Sequence, residues 1–522
     1  MAVLRFKQMG LAKVHPICKL VNWAIIPRMQ IRAGLFMVLL AFAPAPLFCQ
    51  SSAPGAAFSV SPETREAVRQ LIGDSTLNGK AYAYEGDLAD TIGPRLTGSA
   101  NYMRATEWST QQFKSLGLAN AHTEEWTIPF TWEPAGPATG QIKEPVVHEL
   151  HIYSLGWSPS TPPQGVEGPV VYVASFAPEA LDAQKAQIAG KIALVDPASY
   201  GEKPVMDKVL AGFERLETFS PAAILTTGIA NGAESMYSLN FGGKLSPVPA
   251  AQLGREDSLL IKRLLDRGPV SLKLTLPNTV RSNVKIPTVI AEIPGRQFPD
   301  EIVIIGAHLD SWQPGTGAQD NGTGVASVLE VARAIKALNR PPRRTIRFLL
   351  FGGEEEGLVG SGAYVRQHTA ELPKIDAVLI TDSGSQPAKG WNVSEREDEK
   401  PSLAALKPLL AGLGADGVSS DVSFAFQTDY AAFDALGVPT LILWNDMDKY
   451  MLLHHKASDT FDSIVEKDLV QGATVVAVTA YAIADSETPF APHLSPADAQ
   501  AMIKKAGRLD EYNYLKSGGV LP

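Results

Sequence analysis

Side chains that could bind metal ions recur in the second half of the chain, between positions 308 and 455. Two are histidines and three are carboxylates, in the order His308, Asp320, Glu355, Asp382 and His455. Imidazole nitrogens and carboxylate oxygens are ligands that zinc and similar divalent cations prefer. The set is large enough to hold a pair of such cations, so the order predicts a hydrolytic centre with two metal ions.

His308 and Asp310 form a His-x-Asp pair in the sequence A-H-L-D-S-W. Two residues apart at the end of a strand, their side chains point to the same face. We expect Asp310 to accept the second imidazole N–H of His308 and so orient the ring toward a metal. A core histidine satisfied within the protein is the alternative, and only the surrounding ligands favour metal binding.

Asp320 stands before Asn321-Gly322-Thr323-Gly324, at the start of a predicted helix. An aspartate in that position often caps the helix. A carboxylate on such a glycine-rich corner could also bridge two cations about 3.5 to 4 Å apart. The other ligands favour bridging, with capping as the alternative.

Glu354, Glu355 and Glu356 follow an apolar run and precede Gly357. An acidic run is often a solvated surface. At the end of a strand, however, adjacent glutamates diverge, so Glu355 can reach a metal while Glu354 reaches the attacking water as a general base.

The last two predicted ligands depend on their neighbours. Asp382 follows the apolar run A-V-L-I-T, where a turn aspartate is the alternative. His454 competes with His455, and the spacing to Asp459 favours His455.

The elements that position these residues are apolar strands that end at or shortly before them. The runs E-I-V-I-I-G-A, T-I-R-F-L-L-F and A-V-L-I-T lead to His308, Glu354 and Asp382. With helices between them, such as 323–338, they predict a three-layer α/β/α sandwich around a mixed, mostly parallel sheet. Ligands of open α/β sheets bind beyond the carboxyl ends of the strands, where these residues fall.

The length of 522 residues and the hydrophobic content of 45% supply more than one core. Helical spacing predicts helices between Glu63 and Leu118, and a proline- and glycine-rich cluster at 128–140 indicates a boundary. Short β-type runs follow, with one helix around 206–217. We predict the first part of the catalytic domain at 60–136, an inserted β-rich domain at 137–280, the metal-binding domain at 281–490 and a tail at 491–522. The alternative is that the inserted segment extends the main sheet.

The first 50 residues are typical of a secretory signal peptide. They contain six basic residues and no acidic one, and end in an apolar run at 33–48. A spanning helix needs about 20 apolar residues, so we predict cleavage between Ala45 and Ala57. A retained membrane anchor is the alternative.

The only cysteines, Cys18 and Cys49, lie in or beside this leader. The mature chain would then hold no disulfide, which fits export to a periplasmic or extracellular compartment of a bacterium. Lipidation of Cys49 is less favoured because a bulky Phe48 precedes it. Without the leader, 40 basic residues face 55 acidic ones, a formal charge near −15. Such a surface disfavours nucleic acid and anionic lipid, and leaves peptides or small molecules as substrates.

The order H-x-D, D, E-E-x-G-x-x-G-S, D, H-x-x-x-D-T resembles the co-catalytic zinc exopeptidases, a family that includes bacterial aminopeptidases. The nearer resemblance, over residues 60–485, is to the plasma glutamate carboxypeptidase or carboxypeptidase Q type. It rests on G-P-R-L-T-G-S at 93–99, A-H-L-D-S-W at 307–312 and the paired histidines 454–455. Gly352-Gly353 and Q-T-D-Y at 427–430 depart from the pattern and leave the specificity open.

The resemblance implies two Zn²⁺ per chain, an inserted domain of the protease-associated type, hydrolysis of dipeptides or short peptides, and a possible homodimer. One zinc ion would be held by His308, Asp320 and Asp382, and the other by Asp320, Glu355 and His455. Glu354 would be the catalytic base and Asp310 would support it by orienting His308. An aminopeptidase of the same fold is the alternative, and a non-catalytic receptor-like module is a further one. Manganese or cobalt could also bind such a ligand set.

Overall fold

The computed structural model describes residues 57–201, 206–228, 242–422 and 427–521. The predicted signal peptide, with Cys18 and Cys49, lies outside the described residues. Within the described ranges, no helix combines the length and the apolar character needed to cross a membrane.

The described residues form two eight-stranded sheets and fifteen α-helices. The strands are β1 (Ala119–Pro134), β2 (Thr139–Glu144), β3 (His148–Leu150), β4 (Ile152–Ser154), β5 (Val166–Tyr172), β6 (Ile192–Leu194), β7 (Ala223–Thr227), β8 (Ala250–Leu253), β9 (Ser271–Thr275), β10 (Asn278–Ile293), β11 (Phe298–His308), β12 (Arg344–Phe351), β13 (Ile375–Ile380), β14 (Gly390–Asn392), β15 (Gly417–Ser419) and β16 (Thr440–Trp444). The helices are α1 (Pro62–Asn78), α2 (Ala81–Gly86), α3 (Ala100–Ser115), α4 (Pro178–Ala183), α5 (Lys185–Ile188), α6 (Met206–Glu217), α7 (Arg255–Leu265), α8 (Thr323–Ala337), α9 (Val359–Gln367), α10 (Lys400–Leu410), α11 (Ala431–Asp434), α12 (Met447–Leu453), α13 (Glu466–Ala484), α14 (Pro496–Lys505) and α15 (Leu509–Ser517).

The main sheet has the strand order β1-β10-β12-β11-β13-β16-β14-β15. Its central strands β12, β11, β13 and β16 run parallel. β10 pairs antiparallel with β1 and β12, and β14 pairs antiparallel with β16 but parallel with β15. The prediction of a mixed α/β fold is therefore confirmed. Because β12, β11 and β13 are adjacent and parallel, the residues that follow them meet at one edge of the sheet.

Alternate residues of the central strands pack into two different hydrophobic clusters. Val303 and Ile305 of β11 join a cluster that includes residues of α8 and α13. Ile302 and Ile304 join another, which includes residues of α9, α11 and α15. This period of two follows from the pleat of a strand and buries both faces of the sheet under helices.

The second sheet has the order β3-β2-β9-β5-β6-β7-β8-β4, and all its strands lie between Thr139 and Thr275. This segment forms a sheet of its own and does not extend the main sheet. Its assignment as a protease-associated domain stays a prediction. We call residues 139–275 the inserted segment.

The cluster at 128–140, predicted as a boundary, is strand as far as Pro134. It belongs to β1, which pairs with β10 from Ala119 to Pro134 at the edge of the main sheet. An edge strand tolerates Pro129 and Pro134 because an N–H that faces away from the sheet has no partner to lose.

Candidate metal centre

Four of the predicted residues lie at or just after the ends of adjacent parallel strands of the main sheet. β11 ends at His308, β12 ends shortly before Glu354 and Glu355, and β13 ends shortly before Asp382. The sequence order thus becomes a spatial cluster because these strands are neighbours in the sheet.

Asp320 lies between the two predicted histidine ligands. Its Oδ1 is 3.3 Å from Nε2 of His308, and its Oδ2 is 3.3 Å from Nε2 of His455. Nε2 of His308 is also 3.3 Å from Oδ1 of Asp382. One carboxylate therefore faces two imidazoles through different oxygens, which is the arrangement that a bridging ligand needs.

Glu355 completes the second half of the cluster. Its Oε2 lies 3.0 Å from Nε2 of His455. Nε2 of His454 is 3.4 Å from Oδ2 of Asp320, and its ring stacks on His455 with centroids 3.8 Å apart. Both histidines thus face Asp320, but of the two only His455 has a described contact with Glu355. This difference favours His455 as the ligand.

Asp320 does not cap α8. Its backbone is extended, with φ −122° and ψ 92°, and the residue before the first turn of α8 is Gly322. The backbone N–H groups of Gln319 and Asp320 instead donate to Oδ1 and Oδ2 of Asp459, at 2.6 and 3.1 Å. Asp459 therefore fixes the loop that carries Asp320.

Asp310 is placed differently from the predicted geometry. Nδ1 of His308 lies 3.0 Å from the main-chain oxygen of Asp310 and 3.6 Å from its carboxylate. The carboxylate Oδ2 instead accepts the Thr97 hydroxyl at 2.9 Å and the Glu355 N–H at 3.3 Å. The chain has already left β11 at this point, so the Asp310 carbonyl turns toward the ring. Asp310 connects His308 to Glu355.

Glu354 is half-buried and faces the other charged groups of the cluster. Burial raises the pKa of its carboxyl well above the usual value. The His308 imidazole opposes this shift, whereas the nearby carboxylates of Asp382 and Glu355 add to it. A carboxyl whose pKa is raised can accept and return a proton near neutral pH.

The carboxylates of the cluster favour a positive charge on the two histidines or on a bound cation. Burial lowers the pKa of His308, but Asp382 and Glu354 outweigh it and hold that pKa well above its usual value. The pKa of His455 is raised to about 10, because Glu355 and Asp320 likewise outweigh burial. Buried Oε1 of Glu355 has no hydrogen-bond partner among the described residues. Divalent cations would satisfy these carboxylates, so the donor set fits a metal pair.

The motif G-P-R-L-T-G-S forms hydrogen bonds with the loops that carry the predicted ligands. The guanidinium of Arg95 is fully buried and donates to the carbonyl oxygens of Gly93, Leu309, Thr316 and Gly317. The hydroxyl of Thr97 donates to Asp310 and accepts from the N–H of Gly353. The motif thus joins the loops that carry His308, Asp320 and Glu354.

Sequence reasoning did not assign roles to Arg95, Thr97, Asp459 or Tyr450. Tyr450 is buried, its ring lies 5.1 Å from that of His454, and burial together with Asp320 raises its pKa well above the usual value. The two short motifs containing Arg95 and Asp459 were visible signals. Tyr450 lies in α12, outside any recognised motif, and gave none.

Comparison with known proteins places the chain among peptidases. The sequence profile of Peptidase family M28 matches residues 288–480. Carboxypeptidase Q of Rattus norvegicus is 32% identical, over 81% of this chain and 89% of its own length. The crystal structure of a peptidase M28 precursor from Shewanella amazonensis superimposes with a TM-score of 0.71, at 29% identity over 83% of this chain and 99% of that one. A zinc aminopeptidase from Bacillus subtilis shares the fold, with a TM-score of 0.61 at 22% identity over 76% of this chain and 93% of that one.

The sheet, the cluster at its carboxyl edge and these matches define the class of protein as a metallopeptidase, an enzyme that hydrolyses peptide bonds. The chain belongs to Peptidase family M28. The resemblance to zinc exopeptidases that the sequence motifs indicated is therefore confirmed.

Proposed function

We propose that this chain is a zinc-dependent exopeptidase that hydrolyses dipeptides or short peptides, with two Zn²⁺ per chain. The observation that carries the proposal is the position of Asp320, whose two oxygens each lie 3.3 Å from a different imidazole. The names of the relatives support it, since one is a carboxypeptidase and another a zinc aminopeptidase. We also propose that the main domain is a three-layer α/β/α sandwich and that the inserted segment is a domain of the protease-associated type.

In this proposal His308, Asp320 and Asp382 hold one ion, and Asp320, Glu355 and His455 hold the other. When bound, the ions supply Lewis acidity toward the scissile carbonyl and lower the pKa of water. Asp459 and Asp310 position the ligands through the backbone N–H groups of Asp320 and Glu355.

Glu354 performs the proton transfer. Its carboxylate accepts a proton from the attacking water and returns it to the nitrogen of the leaving amine. The half-buried position suits this role, because the side chain keeps some exposure to solvent while burial raises the pKa of its carboxyl.

The test uses one dipeptide in free, N-acetylated and C-amidated forms, incubated with the mature chain before and after treatment with a chelator. We expect cleavage of the free dipeptide, loss of cleavage on C-amidation, and loss of all cleavage after chelation, with recovery on adding zinc. Zinc content per chain, measured by elemental analysis, accompanies the rates.

The outcomes separate the alternatives. Loss of cleavage only on acetylation identifies an aminopeptidase, and loss with either block identifies a dipeptidase. A chain that binds no metal and cleaves none of the three forms contradicts the proposal and supports the receptor-like module.

Export and dimerisation complete the proposal. We propose that the predicted leader at 1–50 directs the chain to a periplasmic or extracellular compartment, with a homodimer as its assembly. N-terminal sequencing of the secreted protein and light scattering on the purified chain test these two points.

A further inference from the structure

We propose that the inserted segment is a structural part of the metal centre, and that Trp157 within it is a positioning residue for His455. The inference rests on the ligand assignment proposed above. It concerns the second ion, the one assigned to Asp320, Glu355 and His455.

Two tryptophan rings connect the inserted segment with His455. The ring of Trp157 meets that of Trp312 edge to face, with centroids 6.2 Å apart. Trp312 in turn meets the imidazole of His455 edge to face, with centroids 6.1 Å apart. Edge-to-face contacts at this spacing are attractive and fix the relative orientation of the rings.

Trp157, the first ring of this series, is fixed by several contacts. It is fully buried, its indole N–H donates to the Phe130 carbonyl at 2.8 Å, and its own carbonyl accepts from the N–H of Ser246 at 2.8 Å. Trp132 also stacks on Trp157, with ring centroids 6.5 Å apart. Its φ of 55° is uncommon for a bulky residue and is maintained by these contacts.

Trp312, by contrast, depends on its packing. It is almost fully buried, and its indole N–H has no hydrogen-bond partner within the part of the chain that the structure describes. Its orientation against His455 therefore rests on van der Waals contact with neighbours such as Trp157. Removing the Trp157 ring would free Trp312 to rotate and would loosen the imidazole that packs on it.

A second contact joins the inserted segment to the loop that carries Glu355, another ligand of the same ion. The N–H of Gly242 donates to the carbonyl of Glu356 at 2.7 Å, one residue after Glu355. Gly243 packs on Ile128 so closely that a side chain there would collide with it. The inserted segment thus contacts the loop that carries Glu355 directly, and it reaches His455 through Trp312.

The ligands of the first ion are supported differently. His308 ends β11 and Asp382 follows β13, both central strands of the main sheet. Among the described residues, the polar contacts of these two side chains are with each other, with Asp310 and with Asp320, and none is with the inserted segment. Disturbing Trp157 should therefore affect one ion more than the other.

The experiment measures zinc bound per mature chain across a series of buffered free zinc concentrations, which yields the affinities of the two ions separately. The variants are Trp157→Leu, Trp157→Phe and, as a matched control, Trp391→Leu. Trp391 is also fully buried and also donates its indole N–H, to Thr479, but lies in β14. His455→Ala identifies which affinity belongs to the second ion.

We expect Trp157→Leu to lower the affinity for the second ion roughly 10- to 100-fold, which is the usual effect of losing a partner that orients a ligand. The affinity for the first ion should remain nearly unchanged. Trp157→Phe should retain most of the affinity for the second ion, because it keeps an aromatic ring against Trp312. Trp391→Leu should lower the thermal midpoint without changing either affinity. If Trp157→Leu does not fold, Trp157→Met replaces it with the same expectation.

The inference would be overturned if Trp157→Leu bound the second ion as tightly as wild type does. It would also be overturned if the variant lost the same fraction of affinity for both ions. A wild-type chain that binds fewer than two ions would instead overturn the proposed two-zinc centre, and this inference with it.

Discussion

Glu354 is the carboxyl to which proton transfer is assigned, and its substitution tests that role without removing a ligand. We expect Glu354→Gln to lower kcat about 10²- to 10⁴-fold, the usual contribution of a positioned acid and base. Zinc content should not change, because Glu355 and the other ligands remain. Steady-state kinetics and elemental analysis on the same preparation check both expectations.

Glu356 offers the matched control for that substitution. It is fully buried, and burial together with Asp310 raises its pKa well above the usual value. A neutral amide of the same shape should therefore replace it at little cost, so Glu356→Gln should keep most of the activity. Near-normal turnover in Glu354→Gln would disprove the assignment of the base.

Asp459 shows how a residue that touches no substrate can determine the site. It accepts the N–H groups of Gln319 and Asp320, and an asparagine would turn a donor toward one of them. We expect Asp459→Asn to weaken zinc binding by about 10- to 100-fold and to cost about 1 to 3 kcal/mol of stability. Zinc titration and urea unfolding measure the two effects.

The control for this change is Asp462→Asn. Asp462 is exposed and its Oδ1 accepts the Thr460 hydroxyl, so this variant should match wild type in both measurements. Zinc binding unaffected in Asp459→Asn would show that the Asp320 loop holds its shape without this carboxylate.

At the scale of elements, the sequence predicted where the central strands end but not every geometry beyond them. β-branched and apolar runs placed the ends of β11, β12 and β13, and hence the cluster, because parallel neighbours end at one edge. The orientation of Asp310 could not be read from its spacing to His308. It depends on Thr97, which lies more than 200 residues earlier and reaches Asp310 only through the tertiary fold.

The junction of β12 with α9 also tests how elements hold the site. A Cβ on Gly360, in the first turn of α9, would collide with the carbonyl oxygen of Gly352 after β12. We expect Gly360→Ala to destabilise the fold by about 1 to 3 kcal/mol or more, because helix and strand end must separate. Activity should fall as well, since the loop between them carries Glu354 and Glu355.

The same substitution in another helix should have the opposite sign. Gly73 lies exposed in α1 with nothing within 4 Å of an added Cβ, so Gly73→Ala should stabilise the chain by about 1 kcal/mol through helix propensity. Urea unfolding of both variants is the measurement. A Gly360→Ala chain as stable as wild type would mean that α9 can move away from β12 at no cost.

At the scale of the whole molecule, the sequence indicated two sheets but not how the second one serves the first. The length and composition of the apolar runs alone distinguished the short β-type runs of the inserted segment from the longer apolar strands of the main sheet. Local patterns carry no information on which loops a distant segment will contact, so the series from Trp157 to His455 became visible only in the structure.

Metal removal should affect the stability of the entire fold, because the proposed ligands come from segments far apart in sequence. Without cations, the carboxylates of Asp320, Glu355 and Asp382 remain crowded around two imidazoles. A ligand present at about 100 times its Kd stabilises the folded state by about 2.7 kcal/mol. Chelation should therefore lower the thermal midpoint by several degrees, and zinc should restore it.

Calorimetry of the mature chain with chelator, with added zinc and with added magnesium measures this effect. Magnesium should not restore the midpoint, because imidazole ligands suit zinc and disfavour a cation that prefers oxygen. The His455→Ala chain serves as the control and should respond less to chelation, since it has lost one ligand of the second ion. A midpoint unchanged by chelation in the wild-type chain would mean that the cluster is stable without cations, and that its carboxylates are neutralised by protons on the protein instead.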